Sequence, residues 1–226
     1  MIEFRQVTAG YGGNAKAVIT DMSFRVPVHG FLYLRGASGA GKTTILRLIT
    51  KELEPEAGEI RMNGRSIQSL KRKEVPAYRR RIGLVSQDMG LLKDKSVYEN
   101  IELAKRVAGA GGGDVRIQVA MALHLVGMEE YYQCYPEELS GGQQRRICIA
   151  RAMVNHPDLL LADEPTGDLD PDSSLEIMGL LNELNQRGTT MIVATHDEES
   201  IRHYAHTELR LEKDGEMYED TSKSRD

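Results

Sequence analysis

Residues 36 to 43 read Gly36-Ala37-Ser38-Gly39-Ala40-Gly41-Lys42-Thr43, with Thr44 next in line. Glycines at this spacing let backbone N–H groups turn inward around phosphate oxygens with no Cβ in the way, and a following helix adds the partial positive charge of its N-terminus. Lys42 has the reach to meet the outer phosphates of a nucleotide, and the Thr43 hydroxyl is placed to hold Mg2+. Context separates such chemistry from coincidence in a glycine-rich chain. The apolar run Phe31-Leu32-Tyr33-Leu34 precedes the loop, and Ile45, Leu46, Leu48 and Ile49 follow it at helical spacing. Strand, loop and helix thus stand in the order the motif requires, which predicts nucleotide binding.

Asp163-Glu164 closes a second apolar run, Leu159-Leu160-Leu161-Ala162. A hydrated Mg2+ needs a carboxylate near the phosphates, whereas hydrolysis needs a base beside the attacking water. Neighbouring residues on a strand point opposite ways, so two adjacent carboxylates at its end can divide these tasks. The expected assignment gives Asp163 to the metal and Glu164 to the water. Leu139-Ser140-Gly141-Gly142-Gln143 precedes helix formers from Arg145 to Val154. Ser140 suits a helix cap and the glycines leave backbone amides uncovered, so an ordinary capped helix and a second phosphate-binding N-terminus both stay open.

The elements that must position these groups alternate along the chain. Short β-type runs lie near Ile2 to Arg5, Met22 to Val26, Gly58 to Met62 and Ile82 to Gln87. Residues 96 to 130 change character: Val97, Ile101, Ala104 and Val107, then Ile117, Ala120, Met121, Leu125 and Val126, follow helical periods and predict a helical insertion. Leu159 to Ala162 and Met191 to Ala194 are continuous apolar runs with a helix expected across Ser173 to Gln186 between them. That is the pattern of strands buried on both faces of a parallel sheet, and so of an α/β fold with ligands at the carboxyl ends of its strands. Asp163 and His196 fall just past such ends.

Composition narrows the partners. The chain has 226 residues and a net charge of −5, which argues against binding nucleic acid by phosphate neutralisation. Two basic clusters, Lys71-Arg72-Lys73 and Arg79-Arg80-Arg81, read as a solvated helix face or as a surface for a partner or lipid headgroups. Gly109 to Gly113 reads as a joint between two helices. Cys134 and Cys148 lack zinc-site spacing and suit a reducing cytosol, with Cys148 in an apolar, packed stripe. No apolar stretch approaches the ~18 to 20 residues that span a bilayer, and the first residues lack a signal-peptide pattern. A membrane role is therefore expected to come through a partner.

Together these residues resemble the ABC-type ATPases. Leu139 to Gln143 is similar to that family's signature, and its other elements follow in order from Met1 to about Gly215. The resemblance implies that Tyr11 stacks on adenine and that Gln87 links Mg2+ to a membrane partner. It further implies that Gly167-Asp168-Leu169-Asp170 contacts an opposite subunit and that His196 senses the γ-phosphate. Taken singly, Tyr11 could be a surface aromatic, His196 a capping histidine and Gln87 a solvated strand end. As a set they imply a catalytic group of Lys42, Glu164 and His196 and a metal group of Thr43, Gln87 and Asp163. The implied fold is an α/β P-loop ATPase with a mostly parallel core sheet, an N-terminal antiparallel β portion and a helical insertion. One ATP-binding domain would cover residues 1–226, with a helical subdomain at about 90–155. The implied reaction is hydrolysis of ATP with Mg2+ to ADP and phosphate. It would take place in a head-to-tail homodimer, where Ser140, Gly141, Gly142 and Gln143 of one copy close on the nucleotide held by residues 36–44 of the other.

Within the family, Lys73 to Gly83, Gln87-Asp88, Leu91-Leu92, Val97-Tyr98-Glu99-Asn100 and Ala162 to Gly167 resemble the cell-division branch. That branch implies an integral membrane partner, a peripheral place on the cytoplasmic face of the membrane and an indirect link to cell-wall hydrolases. Asp168 stands where asparagine is common, Ser86 where phenylalanine is usual, Gln143 for a frequent glutamate, and Val28-His29-Gly30 for Pro-Gly-Glu. The competing readings are the ATPase subunit of a lipoprotein or peptide exporter or of an amino-acid importer, and a soluble ABC ATPase of DNA repair or translation. The soluble classes usually carry a coiled-coil insertion or a second cassette, and this sequence has neither. A small-molecule kinase would leave Leu139 to Gln143 without a purpose.

Overall fold

A computed structural model describes residues 1–12, 17–109 and 114–212, and the backbone of a final strand at 217–220. The chain opens with β1 (Ile2–Ala9), β2 (Ile19–Val26) and β3 (Phe31–Gly36), then enters α1 (Lys42–Ile49). β4 (Ala57–Met62), β5 (Arg65–Ser66), α2 (Val75–Arg79) and β6 (Ile82–Val85) follow. Next come α3 (Val97–Val107), α4 (Val115–Leu125) and α5 (Gly141–Met153). The last part alternates: β7 (Leu159–Asp163), α6 (Pro171–Gln186), β8 (Thr190–Ala194), α7 (Glu198–His203), β9 (Thr207–Leu211) and β10 (Met217–Asp220).

Two sheets result. β2, β1, β4 and β5 pair antiparallel in that order. The second sheet has the order β10-β9-β3-β8-β7-β6, parallel from β9 to β6, with β10 antiparallel at its edge. This is an α/β fold with a mostly parallel core sheet, an antiparallel N-terminal portion and a helical insertion. β9 and β10 were not legible in the sequence. In Thr207–Leu211 the charged Glu208 and Arg210 interrupt the apolar pattern, yet Glu208 is fully buried against Arg35.

The continuous apolar runs divide between the two faces of the parallel sheet because side chains alternate along a strand. Phe31, Tyr33, Leu160, Ala162, Met191 and Val193 join the helices α5 and α6 in one core. Leu32, Leu34, Leu159, Leu161, Ile192 and Ala194 join α1 and the antiparallel sheet in the other. The helical insertion shares the first core through Val97, Ile101, Val119, Leu123 and Val126.

Two expectations shift. On α4 the buried stripe is Val119, Ala122 and Leu123, while Ile117 and Met121 are exposed. The helical period was right, but its phase was set by packing against α3 and α5. β6 ends at Val85 instead of Gln87, because the carbonyls of Ser86 and Gln87 accept from Arg145 instead of continuing the ladder. The joint at Gly109 to Gly113 lies, after Gly109, outside the described residues.

The second basic cluster is mostly committed within the chain. Tyr78 Oη donates to the Ile49 carbonyl at 2.6 Å, and Arg79 donates to the carbonyls of Thr50 and Lys51. These are orphan acceptors at the C-terminal end of α1, where donors and positive charge are favourable. Arg81 pairs with Asp158, while Arg80, exposed like its two neighbours, has no ion pair among the described residues. Because Tyr78 is buried, Tyr78→Phe strands the Ile49 carbonyl without a donor. It should lower the unfolding free energy by about 1–3 kcal/mol in urea titration.

Candidate functional site

Three neighbouring parallel strands deliver the site. β8 lies between β3 and β7, with Leu34 and Asp163 both in register with Ala194. The loops leaving the three carboxyl ends therefore converge on one cleft of about 910 Å³. The cleft is lined by Gly36 to Gly39 and Gly41 to Thr44 together with Tyr11, Gln87, Asp163, Glu164 and His196, while the side chain of Ala40 is buried in the core.

Two glycines shape the loop. A Cβ on Gly36 would sit 2.7 Å from the Leu211 carbonyl oxygen, so the loop leaves β3 pressed against β9. Gly41 caps α1 at φ 102°, a left-handed conformation that costs glycine little. From this start Lys42, only 8% exposed, donates from Nζ to the Gly36 carbonyl at 2.7 Å. The exposed Tyr11 hydroxyl lies 3.1 Å from Thr44 Oγ1, with the Arg47 guanidinium 5.8 Å from the ring centroid.

The two carboxylates take separate partners. Asp163 Oδ2 accepts from Thr43 Oγ1 at 2.8 Å. Burial raises the Asp163 pKa, the Thr43 hydrogen bond opposes that rise, and the neighbouring Glu164 charge adds to it. Glu164 has φ 47°, a left-handed conformation that a non-glycine residue keeps only where its surroundings impose it. Here its N–H donates to the Ala194 carbonyl and its own carbonyl accepts from Gly167 N–H. The carboxylate is thereby held with Oε1 3.2 Å from Lys42 Nζ and Oε2 2.9 Å from His196 Nδ1.

Ser140 to Gln143 are not in this cleft. Ser140 caps α5 by accepting from Gln143 N–H, and Gln143 Oε1 accepts from Ser140 N–H, a reciprocal capping box. A Cβ at Gly141 would lie 3.2 Å from Leu169 and one at Gly142 3.4 Å from Ser173, so this terminus packs along the segment after Glu164. Ser140 itself is exposed.

Asp197 was missed by sequence reasoning. It accepts from Ser200 N–H at 3.1 Å, Ser200 Oγ at 2.6 Å and Thr166 Oγ1 at 3.3 Å. It thereby ties the His196 loop to the Glu164 loop. An acidic residue just before a short helix is a legible cap signal, but the cross-loop bond to Thr166 is not. Arg145 was also missed. It lies in a run of helix formers and is 1% exposed.

Fold and site together define a class: a phosphate-loop ATPase with a signature helix. The chain belongs to the ABC transporter family, whose model matches residues 19–167. It is therefore an ATP-binding, ATP-hydrolysing protein. Among curated relatives it is similar to the cell division ATP-binding protein FtsE of Streptococcus pneumoniae, with 42% identity over 99% of this chain and 96% of that protein. FtsE of Escherichia coli K12 is 43% identical over 96% of this chain and 97% of that protein. Among solved structures, the ATP-binding cassette MJ0796, a dimer bound to ADP and Pi, superposes with TM-score 0.85 at 30% identity, covering 97% and 98% of the two chains. The cbiO1 subunit of Clostridium perfringens gives TM-score 0.88 at 28% identity over 96% of this chain and 86% of its own.

The raised Asp163 pKa predicts a pH-dependent instability of the protein without added nucleotide or Mg2+. A carboxyl whose folded pKa lies above its ordinary 3.8 stabilises the fold when protonated and loses that contribution as pH rises through the folded value. Asp163→Asn keeps the acceptor for Thr43 and removes the ionisation. Its melting temperature should exceed the parent's at pH 7, with the gap closing as the solution is acidified. A constant gap from pH 7 to pH 4 contradicts this.

Proposed function

We propose that this chain is the ATPase subunit of an FtsE-like membrane complex, in which two copies enclose ATP and the joint they form drives an integral membrane partner. The observation that carries the reading is the Glu164 carboxylate held between Lys42 and His196 beside the phosphate loop. A base fixed by two cationic or donor groups next to a phosphate cradle suits in-line attack of water on a terminal phosphate.

In this reading the amides of residues 36–44 cradle the phosphates, Lys42 neutralises their charge and Tyr11 stacks on the base. Glu164 orients and deprotonates the attacking water, and His196 holds Glu164 through Nδ1 while meeting the γ-phosphate. Thr43, Asp163 and Gln87 would hold Mg2+. Their hydroxyl, carboxylate and amide oxygens are the hard donors this cation prefers. Among the described residues no three His, Cys, Asp or Glu cluster as a metal cage. When bound, Mg2+ would neutralise charge on the phosphate oxygens.

The exposed Ser140 terminus, outside its own chain's cleft, supports closure by a second copy: Ser140 to Gln143 of one chain complete the nucleotide site of the other. The MJ0796 cassette, a dimer bound to ADP and Pi, supports a dimeric form. The similarity to FtsE supports a partner of the FtsX type, a peripheral position on the cytoplasmic face of the membrane, and a mechanical link to cell-wall hydrolases. Leu103 and Val107 on α3 and Ile117 and Met121 on α4 are exposed large apolar residues, which supports a partner-facing surface on the insertion. No nucleic acid enters this reading. Residues 1–226 serve as one ATP-binding domain whose helical part, at about 90–155, carries the signature.

Two experiments test the reading. Glu164→Gln should keep ATP affinity within a few-fold and lower kcat by about 10² to 10⁴; near-normal phosphate release contradicts the base assignment. Mixing inactive Lys42→Ala and Ser140→Arg chains should restore activity in the hybrid dimer, with one intact composite site. Closure within one chain predicts no rescue.

A further inference from the structure

Along one side of α5, Arg145, Cys148 and Arg151 recur every three residues, and all three donate to the backbone of residues 86–90. Arg145 Nη1 donates to the Ser86 carbonyl at 2.7 Å and Nη2 to the Gln87 carbonyl at 3.2 Å. Cys148 Sγ donates to the Met89 carbonyl at 3.4 Å. Arg151 donates to the carbonyls of Met89 and Gly90 at 2.6 and 2.7 Å. Five donor contacts from one helix thus replace the strand ladder that β6 gives up after Val85.

Arg145 is the unusual member. It is 1% exposed, no carboxylate pairs with it among the described residues, and its Nε is buried without a hydrogen-bond partner. A buried guanidinium in that condition lowers stability relative to an apolar side chain of similar length, so packing alone does not explain it. Ser86 is small enough to let the guanidinium reach both carbonyls, and its own hydroxyl turns away to the Asp88 carbonyl. The planar fork of arginine can bond two successive carbonyls at once, which a lysine ammonium cannot do in the same fixed geometry.

We propose that Arg145 is a positioning residue for Gln87: by gripping the two carbonyls that flank the Gln87 Cα, those of Ser86 and Gln87, it fixes the backbone from which the Gln87 side chain enters the nucleotide cleft. The signature helix then presents Ser140 to Gln143 at its N-terminus and holds Gln87 of its own cleft one turn further along. A displacement of α5 therefore moves both together. This rests on the proposed role of Gln87 at the nucleotide, and the test reads the grip separately from that role.

The proteins compared are the parent chain, Arg145→Lys, Arg145→Met, Gln87→Ala and the Arg145→Met/Gln87→Ala double variant. Amide hydrogen exchange over residues 86–90 needs no turnover. It should quicken by about tenfold or more in both Arg145 variants, with β7 and β8 unchanged. Unchanged exchange at 86–90 overturns the grip even if the protein proves not to hydrolyse ATP. Arg145→Met removes a buried charge but also strands the Ser86 and Gln87 carbonyls, so its melting temperature is measured alongside, and unchanged exchange in β7 and β8 shows that a loss of function there is not a loss of fold. Its kcat should fall on the order of 10- to 100-fold, as displaced catalytic groups do, with nucleotide affinity measured without Mg2+ unchanged. In the Gln87→Ala background the same substitution should lower kcat by less than twofold further. Losses that multiply, or an Arg145→Met enzyme with parental kcat, show that Arg145 does not act through Gln87. A parent protein without ATPase activity but with quickened exchange in the variants leaves the grip standing and removes the functional reading of Gln87.

Discussion

The Lys42–Glu164 ion pair is the contact that the rest of the structure is arranged to permit. Its side chains are 9% and 13% exposed, a degree of burial at which the desolvation cost of two charges is offset only when further hydrogen bonds complete them. The Gly36 carbonyl completes the ammonium and His196 completes the carboxylate. These four groups lie on the segments that leave the ends of three strands, β3, β7 and β8, with Lys42 at the start of α1. Only parallel pairing with Leu34, Ala194 and Asp163 level with one another brings those ends to the same edge. A slip of one residue in β7 would turn Asp163 and Glu164 to the opposite faces and separate the pair.

Around that contact the backbone accepts strain where the chemistry sits. Glu164 adopts a left-handed φ, at a cost on the order of 1–3 kcal/mol, and is kept there by its hydrogen bonds to Ala194 and Gly167. Asp163 is a carboxyl pushed toward its neutral form by burial, beside a hydroxyl that favours the charged form. Such a group has most to gain from a cation nearby, and perturbed acids of this kind concentrate at functional sites. Asp197 holds the third loop in place through Thr166 and Ser200, so the geometry of His196 is set by a residue that need not touch substrate.

α5 connects this edge to the rest of the molecule in two ways. Its N-terminus satisfies itself through the Ser140 and Gln143 capping box and leaves Ser140 facing outward. Farther along, its arginines replace the ladder that β6 loses. The helix therefore belongs by packing to the core under the insertion and by hydrogen bonding to the nucleotide cleft.

Local chemistry was readable from residue order. The glycine loop between an apolar run and a helical stripe, the acidic pair at the end of Leu159 to Ala162, and the parallel α/β class all follow from short-range pattern, because strand burial and loop conformation leave marks within a few residues. The helical insertion was visible as a period, yet not the face that α4 buries, since that depends on where α3 and α5 lie. β9 hid behind Glu208, a charge that only the approach of Arg35 makes tolerable inside. The basic run at Arg79 to Arg81 stays exposed, but that Arg79 also takes up the carbonyls at the end of α1 depends on where that helix ends and was not legible locally. Sequence alone determined which groups could bind a nucleotide and cleave it. Tertiary structure decided that Lys42, Glu164 and His196 meet while Ser140 to Gln143 stand apart, because contacts between residues more than thirty positions distant are set by strand register and helix packing, which no local pattern encodes.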